Sequence, residues 1–231
     1  ILWTARNLAR VVPEWPLFFA VGEEELADVL QSEGFEVLLT DPELPSGTDR
    51  LAAANKRIGA DWVINAQADE PLLQGTHLRQ LWQLLQGGAD VATLATRFPS
   101  LAEFHDPNKV KAVLAASGID EEGNEPVVGK ALYFSRSPVP HSRDNPQILP
   151  SHAFWHLGLY GYSAELLDVF PKWPVGRLEE LEKLEQLRIL ENGHEIMVGV
   201  TDQRTVGVDV TEDLAALEEA MKASGPGGQA T

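Results

Sequence analysis

The sequence predicts an α/β fold: a mostly parallel sheet with helices on both faces, to which an antiparallel section is added. Three observations predict it. Over residues 1–98, helical and strand-like periodicities alternate with short connections. The strand-like runs there are largely apolar, as strands covered on both faces are. Beyond that point, strand-like runs follow one another with turn-rich stretches between them and no long helix.

The elements follow in order. "ILWTARNLARVV" carries apolar residues at helical spacing, and "PLFFAV", bounded by Pro16 and Gly22, reads as a buried strand. "EEELADVLQSEG" is an amphipathic helix ended by Gly34, and "FEVLLT" is the next strand. Ser46 can cap the helix "GTDRLAAANKRIG", which Gly59 closes, and the strand "DWVINAQ" follows. The helix "THLRQLWQLLQGG" and the strand "DVATLAT" complete the alternating part. "KVKAVLA", "ALYFSR" and "FWHLGLYGYS" are strand-like, separated by "ASGIDEEGNEP" and "SPVPHSRDNPQILPSH". "GRLEELEKLEQLRILENG" reads as one strong helix with Leu178, Leu181, Leu184, Leu187 and Leu190 three apart. "EIMVGVT" is a last strand, "VTEDLAALEEAMKA" a last helix and "SGPGGQAT" a flexible tail.

With 231 residues the chain can bury a sizeable core. A single domain over residues 1–223 is expected, with an inserted antiparallel section at about 99–155 and a tail at 224–231. The absence of cysteine excludes disulfides, thiolate zinc sites and thiol nucleophiles. Acidic residues outnumber basic ones by 35 to 18, a net charge of −17 that repels nucleic acid and anionic membranes. A small anion can still bind where arginines or a divalent cation reverse the local sign. No apolar run approaches the roughly 18 residues that span a bilayer, and no charged-then-apolar leader opens the chain, so a cytoplasmic location is the default expectation.

In a parallel sheet, ligands bind beyond the carboxyl ends of the strands. Asp69 lies just past "DWVINAQ" and Asp209 just past the strand-like "TVGV". Two carboxylates delivered there can hold Mg²⁺ against substrate phosphates. The alternative is that Asp69 starts a turn before Pro71 and Asp209 caps the last helix. "PSGTDR" offers a glycine for close approach, hydroxyls at Ser46 and Thr48, a helix N-terminus and Arg50 one turn on; a simple cap is the plainer reading. Lys109 and Lys111 share a strand face that suits a phosphate or, equally, solvent. His156 and Tyr160 point to one side of a strand, where a histidine is more often a hydrogen-bonded core residue than a catalyst. Glu185 and Gln186 interrupt the leucine helix, with surface positions as the alternative.

Taken in order, "SGTDRLA", "INAQADEPL", "DPNKVKAV", "ALYFSRSPVP", "HLGLYGYS", "LEELEKLEQLRILENG" and "VGVDVTEDL" resemble the bacterial 3-deoxy-manno-octulosonate cytidylyltransferases, or CMP-Kdo synthetases. The combination of "YFSR", "HLGLYGY" and "LEQLRILENG" is specific, although no single motif is. The resemblance implies one Rossmann-like nucleotidyltransferase domain, a Mg²⁺-dependent homodimer, and the joining of CTP and Kdo into CMP-Kdo and pyrophosphate for lipopolysaccharide synthesis. It implies that Asp69 and Asp209 are the metal carboxylates. Ser46, Gly47, Thr48, Arg50, Gln67 and Lys111 would line the CTP site, and Arg136, His156, Tyr160, Glu185 and Gln186 would hold the sugar acid. A cytidylyltransferase for another sugar acid and a non-catalytic dimeric binding protein of the same fold are the rival readings.

Three departures from the family pattern stand out. The family opens with a strand and a phosphate-binding loop bearing an arginine and a lysine, and this chain is expected to begin after them. A strand that in the family ends Ala-Thr-Asp ends here in Ala20, Val21 and Gly22. The family's Gln-Gly-Asp is Gln67, Ala68, Asp69, and the added methyl is expected to narrow the nucleotide pocket.

Overall fold

The computed structural model describes residues 1–68, 70–117 and 128–204. Helix α1 (Leu2–Val11) leads to strand β1 (Phe18–Val21), which runs parallel to β2 (Glu36–Leu39) after the crossover helix α2 (Glu24–Ser32). Helix α3 (Gly47–Ile58) starts where the sequence places its cap: Ser46 Oγ accepts from Asp49 N. It stops at Gly59, whose φ of 71° suits a residue without Cβ and lets its N–H reach Asn55 O. Then come β3 (Trp62–Asn65), α4 (Gly75–Gln86) and β4 (Val91–Arg97).

A short helix α5 (Leu101–His105) precedes the antiparallel pair β5 (Lys111–Ser117) and β6 (Val128–Ser135). Helix α6 (Leu149–His152) leads into the long strand β7 (Phe154–Ser163). Helix α7 (Ala164–Val169), capped by Ser163, is followed by α8 (Arg177–Glu182), α9 (Gln186–Glu191) and β8 (Met197–Val200).

The fold is α/β, but the large sheet is mixed, not mostly parallel as the sequence suggested. Its order is β3-β7-β4-β8-β6-β5. Strands β3, β4 and β8 share a direction, but β7 enters between β3 and β4 and pairs antiparallel with both. Strand β6 is antiparallel to β8 and to β5, and the start of β7 also pairs with Lys111 and Ala112 of β5. Helix–strand alternation shows where crossovers occur but not which strand is inserted between the strands they connect, and this accounts for the difference.

Helices cover both faces. On one face, Leu78, Leu81 and Leu85 of α4 and Leu8 of α1 pack on Ala92, Leu94 and Leu159. On the other, Ala52 of α3, Leu166 and Leu167 of α7 and Leu187 and Ile189 of α9 pack on Val91, Ala95, Tyr160 and Tyr162. The residues of β4 thus alternate between two cores, and six of its seven are buried.

The long leucine-rich helix is in fact two helices. Lys183 takes the left-handed conformation, φ 55°, and separates α8 from α9. The leucine spacing explains the break. Residues three apart on a helix of 3.6 residues per turn drift by about 60° at each step, so a straight helix cannot bury five of them. The break leaves Leu181 exposed and buries Leu184 and Leu187.

Candidate active site

The first turn of α3 lies at the centre of the site. Ser46 Oγ donates to Asp49 Oδ2 at 2.6 Å and accepts from Asp49 N at 3.1 Å, so its single proton is committed to the carboxylate. Thr48, fully buried, directs its N–H at Glu185 Oε2, 3.4 Å away, and its hydroxyl lies 3.4 Å from Tyr162 Oη. At Gly47 an added Cβ would stand 3.6 Å from Glu185 Oε1, so the carboxylate of α9 lies along the backbone of this turn.

A chain of rings leads on from Tyr162. It stacks on Tyr160 at 5.5 Å, Tyr160 meets His156 edge-on at 5.3 Å, and His156 meets Phe134 at 4.9 Å. Thr93 Oγ1 donates to Leu159 O at 2.6 Å, so at its 3.0 Å contact with His156 Nε2 it accepts, and His156 carries its proton on Nε2. Burial pushes His156 down to about 3, keeping the ring neutral. Burial, then Tyr162 and the charge of Glu185, push Tyr160 up, so it stays a hydrogen-bond donor. Among the described residues, the buried Tyr160 Oη and Gln186 Nε2 have no hydrogen-bond partner. Both can donate, and two unpartnered buried donors are what a site for a hydroxyl-rich ligand leaves unsatisfied.

His156 gives a pH prediction. Its folded value lies below its ordinary 6.5, so the unfolded chain binds the extra proton between those two values. Stability therefore falls as pH drops from 6.5 towards about 3, with a slope near 1.4 kcal/mol per pH unit from this group. The buried His77, also lowered by burial, acts in the same direction, so the test is a difference. Thermal unfolding of His156→Gln across this range is expected to show a shallower acid limb than the parent; identical limbs would refute the assignment.

A second cluster surrounds Glu182. Its carboxylate accepts from Ser135 Oγ at 2.7 Å and from Arg136 N at 2.9 Å. The Arg136 side chain donates Nε to Glu182 O at 2.8 Å and Nη1 to Pro107 O at 3.2 Å. The carbonyl of Glu182 is free for this because the helix breaks immediately after it. Five guanidinium N–H groups serve two carbonyls here, which leaves three for a carboxylate ligand.

Lys111 is a correction. The sequence placed it on an open cationic face, but it is fully buried, and its ammonium donates to Asp106 O at 2.6 Å and Arg136 O at 2.9 Å. Strand β5 pairs with β6 and with the start of β7, which encloses this side chain within the sheet. Lys109 is likewise engaged, in a 2.7 Å ion pair with Glu103.

Arg50 lies apart from the ring chain, at the carboxyl ends of β1 and β2, where Nη1 donates to Thr40 Oγ1 at 2.6 Å. Gly22 makes room for it, since a Cβ there would come within 2.9 Å of Arg50 Nη1. Gln67 Nε2 donates to Gly158 O at 3.3 Å, at the bulge of β7. Asp69 and Asp209 lie outside the described residues. Next to that first position in sequence, Thr4 Oγ1 donates to Ala68 O at 2.6 Å and Glu70 N to Gln67 O at 3.2 Å. Among the described residues, no group of three or more His, Asp and Glu could hold a metal.

The sequence assigned Ser46, Gly47 and Thr48 to CTP and His156, Tyr160 and Glu185 to the sugar acid; in the structure these six form one contiguous cluster. Sequence reasoning missed Thr93, Tyr162, Glu182 and the buried Arg188. The signal for Arg188 was present: an arginine set between Leu187 and Ile189 in an apolar helix.

A sequence-family model described as Cytidylyltransferase matches residues 7–196. A 3-deoxy-manno-octulosonate cytidylyltransferase of Acinetobacter baumannii is 38% identical over 211 residues, 87% of this chain and 79% of that protein. The chain belongs to this cytidylyltransferase family. A member from Syntrophobacter fumaroxidans with the same description is 43% identical over 206 residues, covering 87% of this chain and 78% of that protein. An 8-amino-3,8-dideoxy-manno-octulosonate cytidylyltransferase of Shewanella putrefaciens is 37% identical over 214 residues, covering 90% and 82%. Among solved structures, a CMP:2-keto-3-deoxy-manno-octonic acid synthetase complexed with CTP superposes with a TM-score of 0.82 and 28% identity. The match covers 97% of this chain and 88% of that one. Among the described residues of this cytidylyltransferase, no helix is long and apolar enough to cross a membrane.

Proposed function

We propose that this cytidylyltransferase joins CTP to 3-deoxy-manno-octulosonate, giving CMP-Kdo and pyrophosphate, the activation step for lipopolysaccharide assembly in the cytoplasm. The observation that carries the reading is the contact between the first turn of α3 and the ring chain of β7, made through Thr48, Glu185 and Tyr162. It brings an anion-favouring helix start close to the unpartnered polar atoms of Tyr160 and Gln186, which suits a nucleotide and a sugar acid meeting at one point. The anomeric oxygen attacks the α-phosphorus, the bond to the pyrophosphate oxygen breaks, and the hydroxyl proton passes to solvent. His156, neutral and a very weak base, orients the sugar and does not take that proton. Tyr160 donates to a sugar oxygen, and Arg136, its plane fixed by two carbonyls, grips the sugar carboxylate. Asp69 and Asp209 would hold Mg²⁺, which when bound neutralises the triphosphate.

Pyrophosphate release from CTP with Kdo tests the reading. The Shewanella relative supports a second substrate, the 8-amino sugar acid, so both acids belong in the assay. Release with the 8-amino acid alone would favour that second reading, and release with neither would refute the function. Arg136→Lys keeps the charge but loses the fork, so the KM for the sugar acid is expected to rise about tenfold while CTP affinity stays within about twofold. Equal losses for both ligands would make Arg136 structural. A two-fold homodimer through residues 99–155 completes the proposal, supported by Leu132 of β6, 58% exposed in that section. A monomer by light scattering at micromolar concentration would refute it.

A further inference from the structure

Arg188 is 3% exposed, yet nothing in the reaction above uses it. Its guanidinium takes a forked grip on Glu179, with Nε 2.7 Å from Oε2 and Nη2 on Oε1. It lies 4.4 Å over the Phe170 ring, and Nη1 stands 3.7 Å from Asp49 Oδ2. Asp49, 5% exposed, is the carboxylate that receives the Ser46 hydroxyl. Glu185, one turn before Arg188, receives the Thr48 N–H. The α9 segment therefore holds the first turn of α3 at two points, one through a charge relay and one directly.

A buried guanidinium with two carboxylates is a costly way to fill a core, since apolar residues of similar volume usually do at least as well. What it adds is direction. The fork on Glu179 fixes the plane of Arg188, which fixes the Asp49 carboxylate; this fixes the Ser46 proton and with it the cap geometry. We propose that Arg188 is a positioning residue for the nucleotide: acting through Asp49 and Ser46, it sets the α3 turn that receives CTP. The proposal rests on the functional reading above.

Arg188→Lys keeps the charge and one contact to Glu179 but loses the fork and the reach to Asp49. It is expected to raise the CTP dissociation constant, measured by calorimetric titration without turnover, about tenfold or more. The KM for CTP should rise in step, while the KM for the sugar acid stays within about twofold. Asp49→Asn should reproduce this pattern, and Arg188→Lys added to Asp49→Asn should cost less than twofold more, because both act through one relay. Should Arg188→Lys fold poorly, Ser46→Ala tests the same relay at its surface end and is expected to weaken CTP in the same selective way. Unchanged CTP affinity in folded variants, equal losses for both substrates, or losses that multiply in the double variant would each overturn the proposal while leaving the functional reading intact. A parent protein that binds no CTP would overturn both.

Discussion

Asp69→Asn and Asp209→Asn are each expected to lower turnover by on the order of a thousandfold, with thermal stability nearly unchanged. An amide keeps the shape of the carboxylate but removes the charge that holds a hard divalent cation. The triphosphate then meets a protein of net charge −17 with its own charge uncompensated at the transferring phosphorus. Electrostatic stabilisation of that kind is worth about 3–4 kcal/mol per lost contact, which corresponds to a rate factor of roughly a hundred to a thousand. The fold should tolerate the change at Asp69, because the neighbouring Ala68 O and Glu70 N are held by Thr4 and Gln67. Pyrophosphate release at saturating CTP across a Mg²⁺ titration is the measurement, paired with thermal unfolding. Either variant retaining more than about a tenth of parental turnover at all Mg²⁺ levels would refute the proposed metal role of that carboxylate.

Glu179→Ala is expected to destabilise the protein by about 3–5 kcal/mol, the usual cost of breaking a buried ion pair, because Asp49, 3.7 Å from Arg188, does not replace the lost fork. Glu179 and Arg188 are both nearly inaccessible, so water cannot take the place of the missing carboxylate. The same carboxylate also accepts from Gly176 N at 3.1 Å, so the start of α8 loses its cap as well. For a chain of this length such a loss lowers Tm by roughly 6–20 °C. The change Glu179→Leu with Arg188→Met and Asp49→Asn should recover most of the stability, because it removes all three buried charges and keeps the volume. Calorimetric unfolding of the three proteins checks it. A loss under about 1 kcal/mol for Glu179→Ala would mean the pair is solvated, against its burial.

The two predictions differ in how far the sequence supports them. Asp69 could be singled out from the sequence because an apolar strand ending in acids is unusual within a few residues of chain. Glu179 could not, because its partner lies beyond the helix break at Lys183, and that break is visible only as a leucine spacing that fits no straight helix. Lys111 shows the same limit from the other side. The sequence put it on one strand face with Lys109, but β5 starts only at Lys111 and Lys109 stands in the turn before it, and the enclosure of Lys111 depended on β5 pairing with β6 and with the start of β7. The ring chain of His156, Tyr160 and Tyr162 was half visible: the side to which the first two point follows from strand geometry, but their neutral, buried state follows from Phe134 and Thr93 packing on them.

The sequence by itself determined the alternating helices and strands, the cap at Ser46, the stop at Gly59 and, through its ordered motifs, the family. These are local properties, fixed by side-chain period, by φ at a glycine and by hydrogen bonds over three or four residues. Only the tertiary structure decided that β7 runs between β3 and β4, that Lys111 is enclosed, and that Arg188 reaches Asp49. Contacts such as Thr48 with Glu185, 137 residues apart, form only after the chain has closed on itself. Their formation depends on the packing of whole elements, which no local spacing encodes.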